Sequence, residues 1–197
     1  MSAASSLAPA CRRRDKVCQF FQKYFLFFFF YSLFGWCYEV FLEVVVYRWG
    51  FSNRGVLFGP YCPVYGVGAL LFLLLFYRLL RGKPWKRRLL LVPVLFVGCA
   101  VSATLVELGT SYLCEWLIGS WPWQTYVNYP WNFQGRIALS PSLRFGLGGI
   151  VFLYVFQPLL DRGFAAMGPK VRARLALALA LVMGCDLVVF LLRSLAS

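Results

Sequence analysis

Histidine is absent from this 197-residue chain, and none of its seven cysteines forms a Cys-x-x-Cys pair. The usual zinc spacings are therefore missing, and the thiols at 11, 18, 37, 62, 99, 114 and 185 read as small apolar packing residues. No Gly-x-x-x-x-Gly-Lys-Ser/Thr pattern occurs, so the chain is not itself a P-loop ATPase. No cofactor is expected. Acid is scarce too: seven Asp and Glu stand against twenty Lys and Arg. The basic excess points away from nucleic acid, because most of it lies in short clusters between apolar runs rather than on a water-exposed face. The N-terminus is not expected to be a cleaved signal. Its basic residues precede an apolar run of span length with no small-residue cleavage site after it.

What fills the chain instead is apolar: 61% hydrophobic and 19% aromatic, with 14% charged. A soluble domain is nearer half apolar and a quarter charged. About 20 apolar residues cross the roughly 30 Å of hydrocarbon in a bilayer. The pattern predicts an all-α, polytopic integral membrane protein with five spans near 24–46, 58–80, 89–117, 143–160 and 175–195. Residues 1–23 form a basic tail, and 24–197 a single transmembrane domain without a soluble module or a clear repeat.

Five spans place the tail, the 78–88 segment and the 161–174 loop on one side, and these hold fifteen of the twenty Lys and Arg. The positive-inside rule makes that side cytoplasmic, facing anionic headgroups, with the N-terminus inside and the C-terminus outside. Glu39, Glu43, Glu107 and Glu115 then fall in the outer halves of spans one and three. Glu39 lies on the order of 10 Å from its helix end. A charge at mid-bilayer costs about 2.5–3.5 kcal/mol even on lenient scales. These acids are expected to turn inward, toward Arg48, Arg54, Arg136 and Arg144 and toward the Gly/Pro-rich stretch from Phe51 to Gly68.

That stretch carries Gly59-Pro60 and Cys62-Pro63, too irregular for an ordinary span and too apolar for an ordinary loop. Irregular backbone at membrane depth is buried in protein or lines a wet cavity. Two readings of the charges stay open: an ion-pair network that sets helix register, or a solute or ion site in which Arg54 and Arg136 offer a planar fork to an anion. The pocket residues are Glu39, Glu43, Asn53, Arg54, Cys62, Tyr65, Glu107, Glu115, Asn132 and Arg136. A membrane enzyme with a glutamate base is the second class, and a non-catalytic membrane subunit the third. The Trp-rich segment at 121–131 reads as an interfacial anchor. Asp186, with no basic neighbour close in sequence, is expected to be protonated or hydrogen-bonded, or to relay protons.

Phe34-Gly35-Trp36 with Glu39, Asn53-Arg54-Gly55, Gly59-Pro60, Cys62-Pro63 and Tyr65-Gly66 resemble a family of small bacterial membrane proteins. It is the type IV, or CmpB-like, ABC-transporter family. Further matches are Glu107, Glu115, Trp121, Trp123, Asn132 to Ile137, and Ser142 leading to Gly146. The resemblance implies a permease of the bacterial plasma membrane, working with a separate ATPase subunit.

Orientation is testable by thiol labelling. A cysteine placed at position 124 is expected to react with an impermeant reagent from outside the cell, and one at position 84 only from the cytoplasmic side; labelling of position 124 from the cytoplasm overturns the assignment.

Overall fold

The computed structural model describes the backbone of residues 4–53, 55 and 57–196, and the side chains of these from Val17 on, except 194 and 196. Eight α-helices are α1 Ala4–Phe41, α2 Pro63–Phe72, α3 Arg78–Leu80, α4 Trp85–Leu90, α5 Val92–Ile118, α6 Leu139–Val151, α7 Gln157–Ala166 and α8 Pro169–Ala196. Three π-helical turns, Leu42–Val46, Leu73–Tyr77 and Phe152–Phe156, continue α1, link α2 to α3 and join α6 to α7. The five helical stretches long and apolar enough to cross a membrane are Val17–Val46, Pro63–Leu80, Val92–Ile118, Leu139–Ala166 and Pro169–Arg193. The five-span reading is borne out.

The boundaries moved for physical reasons. The second span begins at Pro63 rather than near Phe58, leaving the backbone before it irregular. Pro60 and Pro63 lack amide hydrogens, and proline is accommodated at the first helical position. The fourth span starts at Leu139 and runs to Ala166, and α8 starts at Pro169, so the expected 161–174 loop shrinks to a short turn. Gly168-Pro169 makes that break, since proline keeps the residue before it out of helical geometry. The basic residues Arg162, Lys170, Arg172 and Arg174 therefore ride on helix ends. At the far end of α5, Gly119 takes φ 74° and its N–H bonds the Glu115 carbonyl at 2.9 Å, the usual left-handed helix stop.

The chain divides into two compact units, Met1–Cys62 with Asp161–Ser197, and Pro63–Leu160. In the first, α1 packs on α8. Buried Leu26, Phe27, Tyr31 and Phe164 form its core. The Phe27 and Phe164 rings meet edge to face at 4.8 Å, and Lys23 pairs with Asp161 at 2.7 Å. In the second unit α5 lies along α6. The Thr104 and Ser142 hydroxyls join them at 2.7 Å. Glycine allows the approach: a Cβ on Gly149 would stand 2.6 Å from the Cys99 sulfur, and one on Gly146 3.0 Å from the Phe96 carbonyl oxygen. Small residues let helix backbones close up where no hydrophobic drive exists between helices in lipid.

Gly149→Ala is therefore expected to lower stability by about 1–3 kcal/mol through overpacking. Gly148→Ala, whose added methyl meets nothing within 4 Å, serves as the neutral control. Unfolding in detergent measures both.

Candidate functional site: two polar clusters

In the first unit the polar groups gather around the irregular segment 47–62. Glu43, buried in the π turn after α1, accepts the Ser52 hydroxyl on Oε1 at 2.7 Å and the Ser52 amide on Oε2 at 3.2 Å. Glu39 lies one turn earlier, partly buried. Asn53 braces the same segment. Its Oδ1 accepts the Trp36 indole N–H at 2.7 Å, and its Nδ2 donates to the Phe58 carbonyl at 2.9 Å and the Leu57 carbonyl at 3.4 Å. Cys62 is buried, and its amide donates to the Ser32 carbonyl at 2.9 Å. Arg54 lies outside the described residues.

Asp186 of α8 is the acid that sequence reasoning left without a role. Its Oδ1 accepts the Phe58 amide at 3.1 Å, its Oδ2 accepts the Gly59 amide at 2.8 Å, and the Tyr61 hydroxyl also donates to Oδ2. It is thus hydrogen-bonded, as one of the sequence alternatives had it. Burial, this bond and the carboxylate's charge push the Tyr61 phenol far above its ordinary value. A signal was present in the sequence: a span carboxylate without a cation needs amide donors, and non-helical backbone beside prolines has free ones.

The second unit centres on Arg136, which is 7% exposed. Its guanidinium carbon lies 4.2 Å from the centre of the Tyr112 ring and 4.1 Å from that of Trp121. It pairs with Glu115 through Nη2 and approaches the Ser111 hydroxyl through Nη1 at 3.4 Å. The expected glutamate–arginine pairing is found here. Glu107 is buried and accepts the Tyr126 hydroxyl at 2.9 Å. A small hairpin delivers the arginine. Strand β1 is Asn132–Phe133 and β2 is Ile137–Ala138. Between them Gln134 and Gly135 take φ 54° and 64°, positive values of the type I′ turn that suits a twisted hairpin. Asn132 caps the turn, accepting the Gly135 amide at 3.0 Å and donating to the Tyr129 carbonyl at 2.9 Å. The indoles of Trp121 and Trp123 donate to the carbonyls of Gly135 at 3.3 Å and Arg136 at 2.9 Å. These tryptophans, expected as interfacial anchors, hold the hairpin.

Tyr65 lies on α2, its ring 6.5 Å from that of Phe145. An open depression of about 380 Å³ beside the hairpin is lined by Trp131, Asn132, Phe133, Ile137, Ala138, Leu139 and Ser142, so its walls are mostly apolar. Among the described residues no group of three His, Cys, Asp or Glu is arranged to hold a metal ion.

Five apolar spanning helices carrying two ordered polar clusters define a multi-pass helical membrane protein. Residues 26–191 match the model of the family described as "Putative ABC-transporter type IV", and the chain belongs to that family. It is a membrane protein related to ABC transporters, of the bacterial cell membrane. No curated protein and no solved structure matches the chain.

The cluster geometry separates two substitutions. Arg136→Gln removes a buried guanidinium from two aromatic rings and is expected to cost about 2 kcal/mol or more. Glu115→Gln changes a carboxylate that is 44% exposed and is expected to cost under about 1 kcal/mol. Detergent unfolding of the two variants measures the difference.

Proposed function

We propose that the protein is a permease-type membrane protein whose outward-facing polar pocket binds a small solute or ion. The observation carrying this reading is the Arg136 group. A guanidinium that only fixed helix register could be matched by a carboxylate on every side. Here two aromatic rings lie about 4 Å from its central carbon, and the paired Glu115 is partly open to solvent. Exchange of such a carboxylate for a solute anion leaves the guanidinium in place, with its planar fork aimed at the newcomer. Glu107, beside Tyr126, is the buried acid of the same unit.

In the other unit Glu39, Glu43, Arg54 and Cys62 are the residues we assign to solute contact, with Asn53 shaping the backbone around them. In the second unit Tyr65 and Asn132 are assigned to solute contact as well, Asn132 through the turn that presents Arg136. The outward direction follows from the positive-inside argument. Family membership adds a separate ATPase subunit as the partner that would couple hydrolysis to movement, and the clustered Lys and Arg contact anionic headgroups on the cytoplasmic side.

Thermal unfolding of the purified protein against a panel of carboxylates, phosphates, amines and inorganic ions tests the reading. At least one anionic solute is expected to raise the unfolding temperature by mass action, with the shift altered in Glu115→Gln and lost in Arg136→Gln. A panel that leaves the unaltered protein unmoved, or that acts equally on all three, overturns it.

A further inference from the structure

Two consecutive backbone amides meet one carboxylate in the first unit. Phe58 N–H serves one oxygen of Asp186 at 3.1 Å, and Gly59 N–H the other at 2.8 Å, with the Tyr61 hydroxyl donating to the second. One amide to each oxygen is the bidentate pattern by which backbone concavities hold anions.

The donors are held by bonds within their own segment and to α1. Asn53 grips the Phe58 carbonyl at 2.9 Å, Tyr61 N–H bonds the Gly59 carbonyl at 2.8 Å, and Cys62 N–H is tied to Ser32. Tyr61 is 2% exposed. Its ring occupies the space that a Cβ on Gly59 would need, so only glycine fits there.

The donors of the cradle thus all come from Phe58, Gly59 and Tyr61, while the carboxylate comes from a separate helix. It arrives on α8, the spanning helix that buries just 6% of its apolar window within the protein.

We propose that this cradle is a carboxylate receptor, occupied in this conformation by Asp186 as a built-in ligand, and that a solute carboxylate takes its place when α8 moves away. The inference rests on the solute-binding reading above and names the substrate class. Among the described residues the donors to Asp186 are neutral: two amides and a phenol. They match a planar, singly charged group with two oxygens, and leave the second charge of a phosphate monoester uncompensated. The described cation nearby, Arg193, lies over the Phe58 ring at 4.8 Å.

Cys62, buried at the end of the cradle segment, reports on its order. In a chain whose only thiol is Cys62, Asp186→Ala is expected to speed maleimide labelling about tenfold, the worth of a lost charge-assisted hydrogen bond. Sodium acetate should slow it again, saturably, while sodium chloride of equal ionic strength does not. Adding Tyr61→Phe should abolish the acetate effect. Folding is checked by helical circular dichroism and elution volume; if Asp186→Ala does not fold, Asp186→Asn is read the same way. A folded variant that labels fast and ignores acetate makes Asp186 a helix tie only and overturns the proposal; one that labels as slowly as the parent shows that the carboxylate does not order the cradle and overturns it too. Acetate protection without any solute effect at Arg136 would remove the proposed function but keep the cradle, and the reverse would remove the cradle alone.

Discussion

Hydrocarbon offers no hydrogen bonds, so a chain that leaves helical geometry near a membrane must satisfy its freed amides and carbonyls by itself. The two long connections here, 47–62 and 119–138, both do so with side chains. In the first, Asn53 takes two carbonyls and an indole, Glu43 takes an amide and a hydroxyl, and Asp186 takes two amides. In the second, Asn132 and two tryptophans hold the turn. The same requirement explains why residues of such polarity persist among so many apolar ones. Each keeps a piece of irregular backbone in one conformation.

That requirement also sorts the charged residues. Glu43 and Asp186 are matched by hydrogen-bond donors from the 52–61 segment. Arg136 is matched partly by Glu115 and partly by the faces of Tyr112 and Trp121. A guanidinium is weakly hydrated and flat, so ring faces can replace water around it at modest cost. An ammonium in the same position would lose its hydration without that compensation. The geometry therefore calls for arginine rather than lysine, and a hairpin with its glycine turn sets it there.

Much of this architecture was legible in the residues. The number of spans follows from apolar run length, and the need of the span acids for partners follows from the cost of an isolated charge at depth, although which arginine meets which acid, as Arg136 meets Glu115, came from the structure. Asn53-Arg54-Gly55 through Tyr65-Gly66 was enough to point to the family that the chain belongs to. Less legible was the role of Asp186, because its partners lie over 120 residues away and are mostly backbone amides. Amides carry no residue signature. Nor did the tryptophans at 121 and 123 declare themselves as hairpin braces, since an indole at an interface and an indole bonded to a carbonyl have the same sequence appearance. The helix ends at Ala166 and Pro169 were misjudged because basic residues were taken for loop. A helix carries charge freely once it leaves hydrocarbon.

The irregular stretch before the second span shows where the two kinds of information divide. Sequence alone determined that this entrance would be irregular, because two prolines and two glycines remove donors and add conformational freedom, but it set the helix start near Phe58, and only the structure moved it to Pro63. It determined equally that the acids of the spans would need partners, since the cost of an unmatched charge is a property of the residue and its depth. Which partner each acid received was decided only by tertiary structure. Hydrogen bonds select by distance and direction, and both are set when separate helices pack, as when α8 brings Asp186 against the amides of Phe58 and Gly59.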